Sequence, residues 1–143
     1  MKRNSRGFTL IELLVVIAII GILATIVLVS LGTARRRARD TRRIGDLRQV
    51  ALALQLYRED NTGYPAALTG LVPNFMRALP KDPSTGADYG YGIDGATPPQ
   101  DYVLRTVLEV ATNQALNPEN GDIDDSPIYT LDCTDPAYCI RPQ

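Results

Sequence analysis

Phe8 to Leu31 reads FTLIELLVVIAIIGILATIVLVSL, and this stretch decides how the rest of the chain is to be understood. Leu13 to Ala34 is a run of 22 residues without a charge. At a rise of about 1.5 Å per residue, a helix of that length covers roughly 33 Å, enough to cross a hydrocarbon core of about 30 Å. The run is dominated by Ile, Val and Leu, which lipid tolerates when the backbone is satisfied within a helix. Lys2, Arg3 and Arg6 precede it, as in the n-region of a secretory signal. A signal core, however, is shorter (~7–15 residues) and ends in small residues at a cleavage site, whereas arginines follow here. A retained membrane anchor is the expectation.

Glu12 is the anomaly in the apolar block. A carboxylate at the centre of a membrane helix costs about 2.5–3.5 kcal/mol, and less near the interface. On physics alone two readings stand: Glu12 lies among headgroups and does nothing, or it meets a positive partner within an assembly.

Charge is distributed unevenly along the 143 residues. Residues 1–48 carry ten Lys/Arg against three acids (Glu12, Asp40, Asp46), and the remainder carries five against thirteen. Such opposed halves argue against a uniform globule. There is no histidine, so Ser-His-Asp, Cys-His and His-zinc chemistries are excluded. Two cysteines are too few for a four-cysteine zinc site. No catalytic residues are nominated and the chain is read as a non-enzyme.

Residues 35–48, RRRARDTRRIGDLR, hold seven arginines and form a basic collar. The expected role is a solvated helix face or a contact with anionic headgroups, at about 1 kcal/mol per basic residue. No aromatic interleaves with the arginines, so a stacking platform for single strands is missing and nucleic acid is not expected as a direct ligand. Beyond the collar, Ile44, Leu47, Val50, Ala51, Leu54 and Tyr57 recur at three- and four-residue steps, one apolar stripe of an amphipathic helix. No proline lies between Phe8 and Tyr64, so one helix of about 50 residues, ending near Asn61-Thr62-Gly63, is predicted.

Residues 61–143 hold all ten prolines and seven glycines, and loops should dominate there. Short helical turns are predicted within Ala67–Leu79, interrupted at Pro73. Strands are predicted at Tyr89–Ile93, Tyr102–Glu109 and Ile128–Leu131 from β-branched and aromatic residues between turn signals. A small antiparallel sheet on the amphipathic half-helix follows, an α+β fold. So short a segment cannot bury a large core alone, and the helix must contribute. Asn120-Gly121-Asp122-Ile123-Asp124-Asp125-Ser126 is acidic without full EF-hand spacing. It is read as a solvated loop and no cofactor is expected, with Asp122, Asp124 and Asp125 the residues that would hold calcium if it bound. Cys133 and Cys139 enclose five residues. They are free thiols in a cytoplasmic domain and a disulfide in an exported one.

The stretch Arg6-Gly7-Phe8-Thr9-Leu10-Ile11-Glu12, behind its basic leader, resembles the signature of type IV pilins and of the type II secretion and competence pseudopilins. GFTLIELLVVIAIIGILA matches that signature over about 18 residues without a gap. The resemblance implies cleavage by a prepilin peptidase after Gly7 and methylation of Phe8. It also implies that Glu12 pairs with the α-amino group of Phe8 in an adjacent copy. At about 4 Å and an effective dielectric near 20, such a pair gains a few kcal/mol, comparable with its burial cost, so it would act chiefly on register. Leu54 to Pro65 (LQLYREDNTGYP) and Leu79 to Pro83 (LPKDP) extend the likeness to the major pseudopilin of type II secretion. That pseudopilin binds calcium in a later loop, but Gln100–Glu109 reads as a strand here and lacks the matching aspartates. An exported domain favours the Cys133–Cys139 bridge.

The implied organisation is a leader at 1–7, a membrane and filament-core helix at 8–34, the collar and amphipathic helix at 35–60, and a loop-rich domain outside the cytoplasm at 61–143. The implied function is a structural subunit of a pilus or pseudopilus. Its partners would be its own copies, the peptidase, an inner-membrane assembly platform and, before assembly, the membrane. Localisation would be the inner membrane as a single-pass protein, then an extracellular pilus or periplasmic pseudopilus. The collar, with more basic residues after the span than before it, points the other way on the positive-inside rule. The competing function is a monomeric membrane-tethered module binding a ligand through Tyr89, Tyr91, Tyr102, Tyr129 and Tyr138 or through calcium at the acidic loop.

Overall fold

The computed structural model describes residues 8–124 and 127–142. The leader at 1–7, with the Gly7 side of the expected cleavage point, and Asp125 of the acidic loop lie outside the described residues. Helix α1 runs from Leu10–Asp60, 51 residues. The chain divides into two compact units with the boundary between Arg35 and Arg36.

In the first unit the helix carries no charge from Leu13 to Ala34 and presents no continuous polar face. Its most hydrophobic 18-residue window has a mean hydropathy of 3.1, none of it is buried by the rest of the chain, and by length and composition it can cross a membrane. A helix without a polar face is stable only when something apolar surrounds it. Lipid or other helices must supply that surrounding.

In the second unit the same helix becomes amphipathic. Leu47, Val50, Ala53 and Leu54 are buried, and Ile44, Ala51 and Tyr57 pack against them, as the stripe predicts. The helix stops where the Asn61 side-chain amide donates to the Tyr57 carbonyl (2.8 Å), satisfying an end group that has no partner within the helix. Gly63 follows, and a Cβ there would lie 2.4 Å from the Pro99 carbonyl oxygen, which Tyr64 N–H meets at 2.8 Å. No side chain fits at that close approach.

The sheet is antiparallel, in the order β1 (Gly90–Ile93), β2 (Tyr102–Val107), β3 (Ala137–Ile140). The central strand β2 pairs Tyr91 with Leu104 on one side and Thr106 with Tyr138 on the other. Tyr64, Leu71, Tyr89, Tyr102, Leu104, Leu108, Leu116 and Tyr138 join the helix residues in one core. Full burial of a side chain such as Leu47 or Leu104 contributes about 1.5–3 kcal/mol. The architecture is the expected α+β one.

Two expectations are corrected, the strand at Ile128–Leu131 and the tyrosine surface. Ile128–Leu131 is not a strand: its ends form an isolated bridge around Tyr129 and Thr130, both at positive φ (44° and 74°), so the segment is a tight turn. The third strand is Ala137–Ile140, buried along three of its four residues. Tyrosines offered as a ligand-binding surface are largely core: Tyr89, Tyr102 and Tyr138 are buried. The short helical turn expected before Pro73 is present as a 3-10 segment, Leu68–Leu71.

Candidate functional site

Three places on the chain carry chemistry beyond packing. The first is the start of α1. Thr9 precedes the helix and Glu12 lies in its first turn. The Glu12 Oε2 accepts the Thr9 backbone N–H (2.9 Å) and the Thr9 hydroxyl (2.7 Å), while Thr9 Oγ1 accepts the Glu12 N–H (3.3 Å). This is a capping box, in which two donors without helical partners are satisfied reciprocally. The negative side chain also suits the positive end of the helix dipole. Glu12 therefore has a role within its own chain that needs no external cation. The T-x-x-E spacing was the available signal. Phe8 is 80% exposed beside it.

The second place lies within the basic collar. Two arginines turn inward rather than to solvent or headgroups. Asp40 and Arg43 are buried (0% and 2% exposed), and Arg43 Nη1 donates to Asp40 Oδ1 at 2.7 Å. Arg43 also reaches Asp82 (Nε to Oδ2, 2.6 Å), Ser84 Oγ (2.5 Å) and Glu109 Oε1 (2.9 Å). Arg39 grips Glu109 with two nitrogens, at 2.7 and 2.6 Å. Asp40 in turn accepts the backbone N–H groups of Glu109 (2.9 Å) and Val110 (3.0 Å) just beyond β2. Planar guanidinium groups suit such forked pairing. The Arg43 hydrogen bonds, ahead of the opposing effect of burial, hold the Asp82 carboxyl far below its usual range. The Arg39 bonds, again against burial, bring Glu109 down to about 2. The cluster fastens α1 to the loop at Asp82 and to the end of β2. Arg35, Arg36, Arg37, Arg42 and Arg48 stay exposed, as expected of the collar.

The third place is near the C-terminus. Cys133 and Cys139 form a disulfide (Cα–Cα 5.8 Å), both fully buried against Val103. One oxygen from each of Asp122, Asp124 and Asp135 lies within 4.8 Å of the others. Asp122 is 5% exposed. Its Oδ1 accepts the N–H groups of Ile123 (2.9 Å) and Cys139 (2.8 Å), and its Oδ2 has no partner among the described residues. Burial, and then the nearby charges of Asp124 and Asp135, push the Asp122 carboxyl up, while the two N–H bonds pull against this. An orphaned buried oxygen beside two carboxylates fits a hard, oxygen-seeking cation. Sequence reasoning named Asp122 and Asp124 but missed Asp135, which only the fold brings to them.

The family model of the prokaryotic N-terminal methylation motif matches residues 2–28. Type II secretion system core protein G of Pseudomonas aeruginosa is 33% identical over 117 residues, covering 70% of this chain and 82% of that protein. Core protein G of Klebsiella michiganensis is 37% identical over 107 residues, covering 62% and 75%. The type IV wide pilus major component PilA4 of Thermus thermophilus is 41% identical over 78 residues, covering 54% and 60%. No solved structure matches. With the methylation motif at the head of an exposed apolar helix, and with core protein G similar over most of its own length, the chain belongs to the family of type II secretion pseudopilins and type IV pilins.

Proposed function

We propose that the chain is a structural subunit of a pilus or pseudopilus, cleaved by a prepilin peptidase after Gly7, methylated at Phe8, and polymerised through the helix of residues 8–60. One observation carries the reading: the apolar half of α1 buries nothing within its own chain. The hydrophobic effect favours any assembly that covers it, first lipid and then neighbouring helices as copies leave the membrane. The protein works as a building block and catalyses nothing. Its partners are its own copies, the peptidase and an inner-membrane assembly platform, and the domain beyond residue 60 lies outside the cytoplasm.

Glu12 then has two successive partners. In the separate subunit it closes the capping box with Thr9. In the polymer it meets the amine of Phe8 from another copy, freed by cleavage. Glu12→Gln separates these roles, because glutamine also serves in a capping box but carries no charge. The expected outcome is loss of sheared filaments in both Glu12→Gln and Glu12→Ala, with membrane insertion unchanged. Normal filaments from Glu12→Gln would sink the charge-pairing role. Intact-mass measurement of the mature chain should find an N-terminus at methylated Phe8, and a chain that keeps Met1 in cells possessing the peptidase refutes processing.

The carboxylate trio supports a second element of the proposal, a resident divalent cation such as calcium held by Asp122, Asp124 and Asp135. Bound there, it would neutralise crowded negative charge and pin the C-terminal loops.

A further inference from the structure

Asp135 lies inside the ring that the Cys133–Cys139 bridge closes. Asp122 touches the same ring from outside, through the Cys139 N–H at 2.8 Å. Two of the three carboxylates are thus tied to the disulfide, one by the chain and one by a buried hydrogen bond. The third, Asp124, follows Asp122 by two residues.

We propose that the Cys133–Cys139 disulfide assembles the cation site, so that calcium binds the oxidised chain more tightly than the reduced one. The inference rests on the cation reading above. Its physical basis is the anchoring of the ring. On the C-terminal side, Cys139 is held in β3 opposite Arg105 of β2, and the Pro136 carbonyl accepts the Leu108 N–H at 2.9 Å. These contacts survive reduction. On the N-terminal side, Cys133 is covalently fixed by the bridge, and the neighbouring Asp132 carbonyl accepts Arg105 Nε at 2.5 Å. Opening the bridge removes the covalent constraint; Thr134 keeps its bonds to Asp132 Oδ1 and to the Ala137 N–H, while Asp135 becomes freer to sample positions away from Asp122. A site populated for part of the time has its apparent affinity lowered by that fraction. Because half of the anchoring persists, the expected loss is about tenfold, within the usual range of such couplings.

The coupling is reciprocal. Reduction adds two electrons and two protons, making one thiol at each cysteine. A dithiol such as dithiothreitol supplies both and closes to its own cyclic disulfide. If calcium favours the closed ring tenfold, saturating calcium must make the bridge harder to reduce by the same factor, about 30 mV for a two-electron couple.

The test uses the full chain in detergent micelles, with calcium itself as the probe. Calorimetric titration compares wild type with its bridge closed, wild type held in dithiothreitol, and Asp135→Asn with its bridge closed. The expected result is binding to the first and about tenfold weaker binding to the second, near the low end of typical couplings. Asp135→Asn should bind weakly even with its bridge closed. Equal affinity in the oxidised and reduced wild type overturns the coupling and leaves the cation reading standing. Absence of binding to oxidised wild type overturns the cation reading and the coupling with it. A second measurement reads the thiol–disulfide equilibrium of the wild type against dithiothreitol by alkylation and mass, with and without calcium. A shift towards the disulfide that disappears in Asp135→Asn supports the proposal, and no shift in wild type sinks it even where reduction disturbs the fold.

Discussion

The two halves of α1 are built from much the same aliphatic residues and do opposite things. From Leu10 to Leu31 the described large side chains stand exposed, whereas Leu47, Val50 and Leu54 are buried. The difference lies in what separates the aliphatic residues. In the second half, charged and polar positions leave one stripe for the sheet to cover. In the first half no charge intervenes from Leu13 to Ala34, and the only polar side chains there are those of Thr25, Ser30 and Thr33. Charges follow the same division. Arg43 finds Asp40, Asp82 and Glu109 within the folded domain, while Glu12 has only Thr9, three residues away, among the described residues. The second half is complete in one copy of the chain. The first half leaves its described apolar side chains uncovered.

That contrast breaks most severely at Arg43. Arg43→Met leaves Asp40 buried without its cation, and removal of one partner from such a pair costs about 3–5 kcal/mol. Arg36→Met, at an exposed position one step into the same collar, should change stability by no more than about 0.5 kcal/mol. Thermal unfolding of both variants in detergent, followed by far-UV circular dichroism, measures the gap. Equal midpoints would show that the inward cluster holds nothing together. Acid provides an independent probe of the same cluster. Glu109 is depressed from about 4.5 to about 2, and Asp82 further. A carboxyl depressed on folding contributes stability that is full above its unfolded pKa and is lost as pH falls through the folded value. Stability should therefore decline between about pH 4.5 and 2, and that decline should shrink in Arg43→Met.

Removal of the bridge by Cys133→Ser with Cys139→Ser ranks next. A loop this short loses about 2–3 kcal/mol, largely through a less restricted unfolded chain. The loss should appear in the domain's unfolding midpoint, while sheared filament yield at a permissive temperature stays near wild type. A collapse of filament yield in a still-folded variant would tie the C-terminal ring to assembly, and so erase the division between the two halves.

Patterns that repeat along one element were legible in the sequence, and pairings between distant elements were not. The span, the amphipathic stripe and β2 each declare themselves within a few residues, because periodicity and composition act locally. The arginine run shows why the rest stayed hidden. Seven arginines in fourteen positions look alike, and what selects Arg39 and Arg43 for burial are acids 70 and 39 residues away, Glu109 and Asp82. Ile128–Leu131 has the residues of a strand, but two positive-φ positions turn it back on itself. Ala137–Ile140 directly follows a proline within a covalent ring, and it becomes a strand because β2 offers an unpaired edge. Asp135 was invisible as a site residue for the same reason. At the start of α1 the T-x-x-E spacing is local and legible, and it marks Glu12 as a helix cap as well as a charge beside the membrane span.

The smallest expected effect is at that cap, and it tests how self-sufficient the first half of the helix is. Thr9→Ala deletes the hydroxyl that both donates to Glu12 Oε2 and accepts the Glu12 N–H, but it leaves the Thr9 backbone N–H to Glu12 bond available. Losing a threonine cap costs about 1 kcal/mol, and helix-end effects fade within a turn. The cost should therefore appear as faster amide exchange at Ile11, Glu12 and Leu13 in micelles, with no change in the unfolding of the domain beyond Arg36. Filament yield should fall slightly, far less than in Glu12→Gln, because Thr9→Ala keeps the charge and merely loosens its holder. If Thr9→Ala instead abolished filaments while Glu12→Gln spared them, the cap and not the charge would govern assembly, and the first half of α1 would need its own chain more than its neighbours.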